Sequence, residues 1–475
     1  MEPIPSPSVT LLPPPAIVPT HHGPLVASFK PKYFQNPWTS YRPASLNDAW
    51  EAYQKGAAVA LSRAKTPKSI ATPEDELLVP KSKEVLRTQS KSWITKGAYV
   101  PLKFSLISDE DHEDDWRDPP VEVVRPRWGG VELGNERETV TWLGHAGAMV
   151  QIPWRGEGQR EGMCGVVFDP IFSYRCSPSQ YVGPARYLDP PCQIAMLPDI
   201  HVCCISHDHY DHLDYYSIMD IWNGHRSTVH FLVPLGLKQW FTACGIPSER
   251  VTELDWYHEA LLSFPPPSSD GDAGPALHMK VAFTPAQHRS GRGLLDHMST
   301  LWGSWTLGVV DPADEAQCAE RGMRDWTGFK VFFGGDTGYR YASAPEGDLT
   351  AVCPAFHDIA ALYSPFDLSL LPLSTGSSLP FLRNLLSLSL DQYTLTSSLH
   401  CSPADSIDIH RILRSKRSLG IHWGTFCDED EARGTRVEFG RARREKGVGK
   451  EWRGEEVGFV ISEIGETLVI PRDEE

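Results

Sequence analysis

One six-residue stretch of the 475-residue chain concentrates side chains that bind metal ions. Residues 207–212 read His-Asp-His-Tyr-Asp-His and follow the apolar run VCCIS. Zinc accepts neutral imidazole nitrogen and carboxylate oxygen as ligands, at about 2.0–2.2 Å. A strand end followed by a tight turn would place His207 and His209 around one ion and offer Asp211 and His212 to a second. Ordinary polar loop residues are the alternative, but four such ligands in six positions argue against it.

Two ions need more ligands than this stretch contains, so the later strands are expected to end in further histidines or aspartates. Three residues fit that expectation. His288 follows VAFTPAQ, Asp336 follows VFFGG, and His422 lies within LGIHWGTF. Each alone is equally well explained as a polar residue at a strand end. Their recurrence in order after the first stretch favours one shared metal site.

Short apolar runs that end in turn signals predict ten strands that could position these ligands. The predicted strands are residues 139–144, 147–152, 165–169, 201–206, 228–233, 278–286, 300–310, 330–336, 367–373 and 419–423. Helices are predicted at residues 45–66 and, between the strands, at YYSIMDIW, PLGLKQWFTAC and SPADSIDIHRILRS. This pattern favours two packed sheets with outer helices, and no internal repeat is visible.

The order of His-x-His-x-Asp-His, a later His, Gly-Asp-Thr-Gly and a late His resembles the metallo-β-lactamase superfamily. The resemblance implies an α/β fold, the metallo-β-lactamase αβ/βα sandwich of two packed sheets with outer helices. Connecting strings narrow it, among them SPSQYVGP (177–184), TPAQH (284–288), LWGSW (301–305) and GDTGY (335–339). Together these strings resemble the N-acylphosphatidylethanolamine-hydrolysing phospholipase D family over about residues 139–426.

The resemblance also implies how two zinc ions would share seven ligands. One ion would be held by His207, His209 and His288, the other by Asp211, His212 and His422, and Asp336 would bridge both. An iron-based redox site is disfavoured, because such relatives tend to carry Glu where His209 stands. A non-catalytic scaffold is disfavoured because every matched ligand position is filled.

Three further residues match family positions near the reaction. His400 would join Asp211 and Asp336 as a catalytic residue that handles protons, although it could equally be a polar residue before a helix. Gln180 and Tyr181 match positions that contact phospholipid, and an ordinary structured loop is the alternative.

Three departures from the family pattern bear on the site. Asp208 replaces the usual Asn and adds charge beside the metals, and insertions occupy residues 340–350 and 374–393.

The implied reaction is hydrolysis of N-acylphosphatidylethanolamine to N-acylethanolamine and phosphatidic acid by a two-zinc phosphodiesterase. Hydroxide formed between the ions would attack phosphorus in line, and no Gly-x-Ser-x-Gly nucleophile motif is present. The alternative is a hydrolase of the same fold that acts on another ester or phosphodiester.

The composition limits partners and location. A formal charge of −16 argues against nucleic acid, because binding to its backbone requires clustered Lys and Arg. Ten scattered cysteines and no visible signal or membrane-spanning segment predict an intracellular protein, soluble or peripherally bound to a membrane. The run LPFLRNLLSLSL (379–390), with Arg383, is a candidate lipid contact, although a buried segment is favoured. An oligomer remains open.

Three regions are predicted along the chain. Residues 1–24 are proline-rich and predict a disordered tail, residues 25–138 an N-terminal extension that packs on the core, and residues 139–475 the catalytic domain.

Overall fold

The computed structural model describes the chain in blocks. The described residues are 5–16, 20–23, 33–65, 115, 117–130, 132–133, 137–154, 162–265, 277–293, 296–345, 347–374, 391–452 and 457–471. The predicted lipid-contact run 379–390 and its Arg383 lie outside them.

Two mixed sheets form the centre of the molecule. The larger sheet contains β1 (Ser8–Leu11), β8 (Glu259–Phe264), β9 (Leu277–Thr284), β10 (Ser304–Val309), β11 (Lys330–Phe333), β12 (Leu368–Pro372), β13 (Arg417–Ile421) and β14 (Gly458–Val460). The smaller sheet contains β2 (Thr139–Gly144), β3 (Gly147–Trp154), β4 (Gly162–Phe168), β5 (Ile200–Cys204), β6 (His230–Pro234), β7 (Val251–Leu254) and β15 (Thr467–Val469). All ten predicted strands are confirmed.

Helices accompany the sheets. Those among the described residues are α1 (Leu46–Lys65), α2 (Tyr215–Gly224), α3 (Lys238–Ala243), α4 (Ala355–Tyr363), α5 (Gln392–Thr396), α6 (Pro403–Ile412) and α7 (Glu429–Glu445). No helix in the described blocks is both long and apolar enough to cross a membrane.

The two sheets repeat one pattern of strand pairing. In the order β15-β2-β3-β4-β5-β6-β7, three antiparallel pairs are followed by three parallel pairs. The order β8-β9-β10-β11-β12-β13-β14 shows the same succession, and β1 is added at its outer edge. The repeat therefore lies in the backbone pairing, where a search of the sequence for repeats does not detect it.

Apolar side chains from both sheets form the main core. The rings of Phe168 on β4 and Phe333 on β11 stack at 4.7 Å, which joins the facing surfaces of the sheets. The opposite face of the smaller sheet is covered by α2 and α3, with Ile218 and Phe241 fully buried. On the larger sheet, Phe439 of α7 packs edge-on against Phe459 of β14. The inner parallel strands β5, β6 and β12 are buried along their whole length, which explains their largely apolar sequences.

The sequence did not predict five of the strands in the described blocks, namely β1, β7, β8, β14 and β15. β1 lies within residues 1–24, where the sequence predicts a disordered tail, and it pairs antiparallel with β8 over Ser8–Leu11. β14 and β15 have only three residues each, too few for an apolar run or an alternation to stand out.

The N-terminal segment lies directly on the loops that carry the predicted ligands. Ser40 donates to Gln287 Oε1 at 2.5 Å, and the Asn36 amide donates to the carbonyl of His288 at 2.7 Å. Part of the 340–350 insertion also contacts the N-terminal segment, since the Tyr341 hydroxyl donates to Asp48 of α1 at 2.7 Å. Residues 33–48 therefore support the site from outside the two sheets.

Candidate metal centre

The six-residue stretch begins three residues after the end of β5 and is folded tightly. The amides of His212 and Leu213 both donate to the carbonyl of His209, at 2.9 and 2.7 Å, which closes a turn. Asp214 then caps α2 by accepting from the amide of Ser217. A strand end and a capped helix therefore fix the stretch on both sides, and all four predicted ligands within it are at most 5% exposed.

The later ligands also follow strands of the larger sheet. His288 comes after β9, Asp336 after β11 and His422 after β13, and all three side chains are buried. Gly335, with a φ of +59°, brings the chain close to the first stretch. A Cβ at that position would lie 2.8 Å from the Cβ of Ser206, so only glycine allows Asp336 to reach the site.

The structure brings the seven predicted ligands together in two neighbouring groups. In the first group, His209 Nδ1 lies 2.9 Å from His207 Nε2 and 3.2 Å from His288 Nε2. In the second, His212 Nε2 lies 3.2 Å from His422 Nε2, and the Asp211 carboxylate lies close to both. Asp336 Oδ2 is 3.5 Å from both His288 Nε2 and His422 Nε2, so it stands between the groups.

Each of these five imidazoles uses its outward nitrogen in a contact with oxygen. The acceptors for His209, His288 and His422 are the carbonyls of Gly291, Leu399 and Ser374, at 3.3, 2.9 and 3.3 Å. His212 Nδ1 lies 2.7 Å from Asp169 Oδ2. His207 Nδ1 lies 2.9 Å from Ser206 Oγ, which itself donates to Asp169 at 2.5 Å.

Because carbonyl and carboxylate oxygens only accept, every outward nitrogen carries the proton. The inward nitrogens therefore present lone pairs to one another at 2.9–3.2 Å, which is unfavourable unless a cation lies between them. Tetrahedral zinc with bonds of about 2.0–2.1 Å separates its ligand atoms by roughly 3.3 Å, close to these spacings. Asp336 Oδ1 is also buried without a hydrogen-bond partner in the described structure. The residues present therefore fit a pair of divalent cations.

The electrostatics agree with neutral ligands at four of the five imidazoles, the exception being His212. Burial, together with the neighbouring histidines, lowers the pKa of His207 well below its usual range. Burial also lowers the pKa of His288, to about 3. Burial acts in the same direction on His212, but the hydrogen bond and charge of Asp169, together with the charges of Asp211 and Asp336, outweigh it and raise the pKa. A cation at Nε2 meets the same demand for positive charge that the Asp169 carboxylate creates.

Asp336 stays ionised at the centre of the site. Burial alone would raise its pKa, but the facing His400, His422 and His288 hold the pKa of the carboxyl well below its usual range. His400 Nε2 lies 3.1 Å from Asp336 Oδ2, and its side chain is 14% exposed, more than any of the seven ligands. Its Nδ1 is buried without a hydrogen-bond partner in the described blocks. His400 therefore contacts the centre from its open side.

Three functional residues were missed by the sequence reasoning. His145 Nε2 lies 3.2 Å from Asp211 Oδ2, and Arg292 Nη2 lies 2.5 Å from Asp211 Oδ1, so both orient this ligand. Asp169 orients His212, as described above. His145 and Asp169 each follow a predicted strand in the way that Asp336 does, and this position was the available signal. Arg292 belongs to no sequence pattern.

The remaining predicted residues lie apart from the ligands. Asp208, expected to add charge beside the metals, turns away and accepts from the Gly291 amide at 2.7 Å and from Thr300 at 2.9 Å. The Gln180 side chain both accepts from and donates to the backbone of Arg175, at 2.9 Å each, which closes a loop. Tyr181 follows it and is 92% exposed. Contact of Gln180 and Tyr181 with phospholipid stays a prediction.

Comparison with known proteins gives a matching family model, similar protein sequences and similar solved structures. A family model described as "Beta-lactamase superfamily domain" matches residues 165–423, more than half of the chain. A Caenorhabditis elegans protein named N-acyl-phosphatidylethanolamine-hydrolyzing phospholipase D 1 is 31% identical over 294 residues, 60% of this chain and 64% of that protein. An uncharacterised Mycobacterium tuberculosis protein is 33% identical over 61% of this chain and 59% of its own length. The chain thus spans about three fifths of these curated relatives.

One solved structure with a similar chain trace is a metallo hydrolase from the archaeon Ignicoccus hospitalis. It is 16% identical, covers 70% of this chain and 98% of its own, and has a TM-score of 0.38.

Replacing Asp336 by alanine should release bound metal. The substitution removes the carboxylate that lies between the inward nitrogens of both groups. We therefore expect elemental analysis to find at least one ion fewer per chain. The far-ultraviolet circular dichroism should be unchanged. His278→Ala is the matched control, because the His278 ring contacts the Ser263 hydroxyl near the start of β9 and belongs to neither group of ligands. Equal metal content in the Asp336→Ala variant and the unaltered protein would contradict the assignment.

Proposed function

This chain belongs to the metallo-β-lactamase superfamily, and from that premise we propose that it is a metal-dependent hydrolase with two zinc ions that cleaves N-acylphosphatidylethanolamine. The products are N-acylethanolamine and phosphatidic acid. The observation that carries the proposal is the pair of imidazole groups with inward lone pairs on either side of Asp336. The C. elegans relative's name and the strings shared with its family support the choice of substrate.

Two divalent cations bound there would lower the pKa of a water molecule from 15.7 towards about 7 and offset charge on the phosphoryl oxygens. Asp336 spans both groups and fixes their separation, and Asp211 and His212 are held in place by His145 and Asp169. Water adds to phosphorus and loses one proton as the bond between phosphorus and the ethanolamine oxygen breaks. The leaving oxygen takes up one proton, and we assign this transfer from the water to the leaving oxygen to His400, which contacts Asp336 from the open side.

We assign recognition of the substrate phosphate to Arg292. Its guanidinium contacts Asp211, yet about a third of the side chain (32%) is exposed, whereas Asp211 is 2% exposed. The positive group therefore lies between the buried ligands and solvent, where an incoming anionic substrate would meet it. A guanidinium forms paired, charge-assisted hydrogen bonds with phosphate oxygens.

The substrate assay tests the proposal directly. The zinc-loaded protein should convert N-acylphosphatidylethanolamine in mixed micelles to phosphatidic acid, and in ¹⁸O-water one labelled oxygen should enter the phosphate. Asp336→Ala protein is the control. A lactone and a cyclic phosphodiester are assayed in parallel. Turnover of either one, without turnover of the phospholipid, would replace the proposed substrate by the alternative hydrolase function.

Substitution of Arg292 separates charge recognition from metal binding. Arg292→Gln removes one charge-assisted contact worth about 1.5–3 kcal/mol, so kcat/KM for the phosphodiester should fall by roughly 10- to 100-fold. Arg292→Lys keeps the charge and should recover part of the loss. Both variants are assayed at saturating zinc, because Arg292 also orients the ligand Asp211 and its loss weakens metal binding. A fall in kcat/KM that is equal for a neutral carboxylic ester would argue against phosphate recognition.

A membrane surface is the proposed partner of α1. Leu46, Trp50 and Tyr53 lie at positions i, i+4 and i+7, so they share one helix face, and they are 91%, 58% and 49% exposed. Ala52 and Asp48 on the opposite side are buried. Trp and Tyr are the residues enriched at the boundary between lipid and water. With a formal charge of −16, apolar burial rather than attraction to anionic lipid has to supply the binding.

Replacing Leu46, Trp50 and Tyr53 together by serine should weaken binding to phosphatidylcholine vesicles at least about tenfold, because each buried apolar side chain contributes roughly 1.5–3 kcal/mol. Flotation measures the binding, and hydrolysis of a short-chain dispersed substrate should be unchanged. Met196→Ser is the matched control, since Met196 is 51% exposed and lies shortly before β5 of the smaller sheet rather than on α1. Equal flotation of the triple variant and the control would exclude this surface.

A further inference from the structure

A second cluster of metal-binding side chains lies outside the centre described above. His21 and His22 belong to the N-terminal segment, and Asp255 directly follows β7. His21 Nε2 lies 2.6 Å from Asp255 Oδ1, and His22 Nε2 lies 2.7 Å from Asp255 Oδ2. The two imidazoles therefore approach the two oxygens of one carboxylate.

The cluster is buried in aromatic surroundings. His21 and Asp255 are 6% and 5% exposed, and the His21 ring lies 4.1 Å from the ring of Trp256. The His22 side chain is 18% exposed, so the cluster is open to solvent on that side only. The amide of Trp256 also donates to Asp255 Oδ1 at 2.7 Å, which fixes the carboxylate.

Hydrogen bonding does not account for both histidines. His21 and Asp255 form a well-aligned buried hydrogen bond. By contrast, His22 Nε2 is buried and has no hydrogen-bond partner in the described blocks, although the oxygen is within 2.7 Å. A buried polar atom without a hydrogen bond is costly. Asp336 Oδ1 shows the same combination inside the main centre.

We propose that His21, His22 and Asp255 form a separate site for one divalent transition-metal cation of the zinc class. Two imidazole nitrogens and one carboxylate oxygen are a ligand set of the borderline softness that zinc takes, and the exposed side at His22 leaves a fourth position for water. The nitrogen–oxygen separations of 2.6–2.7 Å have to widen by about half an ångström to reach tetrahedral spacing.

Such an ion would fasten the N-terminal segment to the core beside β7. The segment continues through the buried Phe34 to Asn36 and Ser40, which donate to His288 and Gln287. The bound cation thus acts as a positioning element for the loop that carries a ligand of the main centre. This inference does not depend on the identity of the substrate.

Metal counting on the full chain tests the proposal. After zinc loading and dialysis, His22→Gln should hold one ion fewer per chain than the unaltered protein, and Asp255→Asn should show the same loss. His258→Ala is the matched control and should lose nothing, because only its backbone amide bonds Asp255. Unchanged metal content in His22→Gln and Asp255→Asn overturns the proposal.

A second measurement separates the signal of this site from that of the main centre. The Asp336→Ala protein should still take up cobalt(II), with a visible spectrum typical of low coordination number. Adding His22→Gln to Asp336→Ala should abolish the part of that spectrum that belongs to this site. If the double variant and the Asp336→Ala protein give identical cobalt titrations, the cluster is an ion-paired group and the proposal fails.

Discussion

The arrangement depends on one constraint: five buried imidazoles turn unprotonated nitrogens towards one another beside an ionised Asp336. Without positive charge between them, neighbouring lone pairs repel one another and a buried carboxylate lacks a compensating partner. The surroundings preserve this arrangement, because each outward nitrogen is held by a carbonyl, a hydroxyl or Asp169. The protein thus commits the tautomer of every ring in advance, and a cation completes the site rather than organising it.

The repeated pairing of the two sheets explains why the ligands meet. Parallel strands of one sheet present their carboxyl ends at one edge. β4 and β5 therefore deliver Asp169 and His207 to one edge of the smaller sheet, and β11 and β13 deliver Asp336 and His422 to one edge of the larger sheet. β2 and β9 occupy equivalent places in the repeated order and precede His145 and His288. His145, Asp169 and His422 adopt positive φ of 51°, 37° and 61°. Residues other than glycine rarely adopt a positive φ, so the packed sheets hold a strained backbone at the site.

The sequence predicted the ligand set because metal chemistry restricts residue types and strand ends restrict their positions. The sequence also predicted the long apolar strands, because burial of a strand on both faces leaves a continuous run of apolar residues. β1, β14 and β15 gave no such signal, because three or four residues are too few for a pattern. Arg292 was invisible because its role arises from a contact across 81 residues, and no local spacing encodes that contact.

Residues before the first core strand also bear on the site. Residues 33–48 belong to the segment 25–138, for which the sequence predicts an extension that packs on the core. Their hydrogen bonds run to the loop of His288 and to Tyr341, so they form part of the wall around the ligands. If Asn36 and Ser40 were removed, the carbonyl of His288 and the Gln287 side chain would lose buried partners. The segment therefore forms an outer layer around the loop that carries His288.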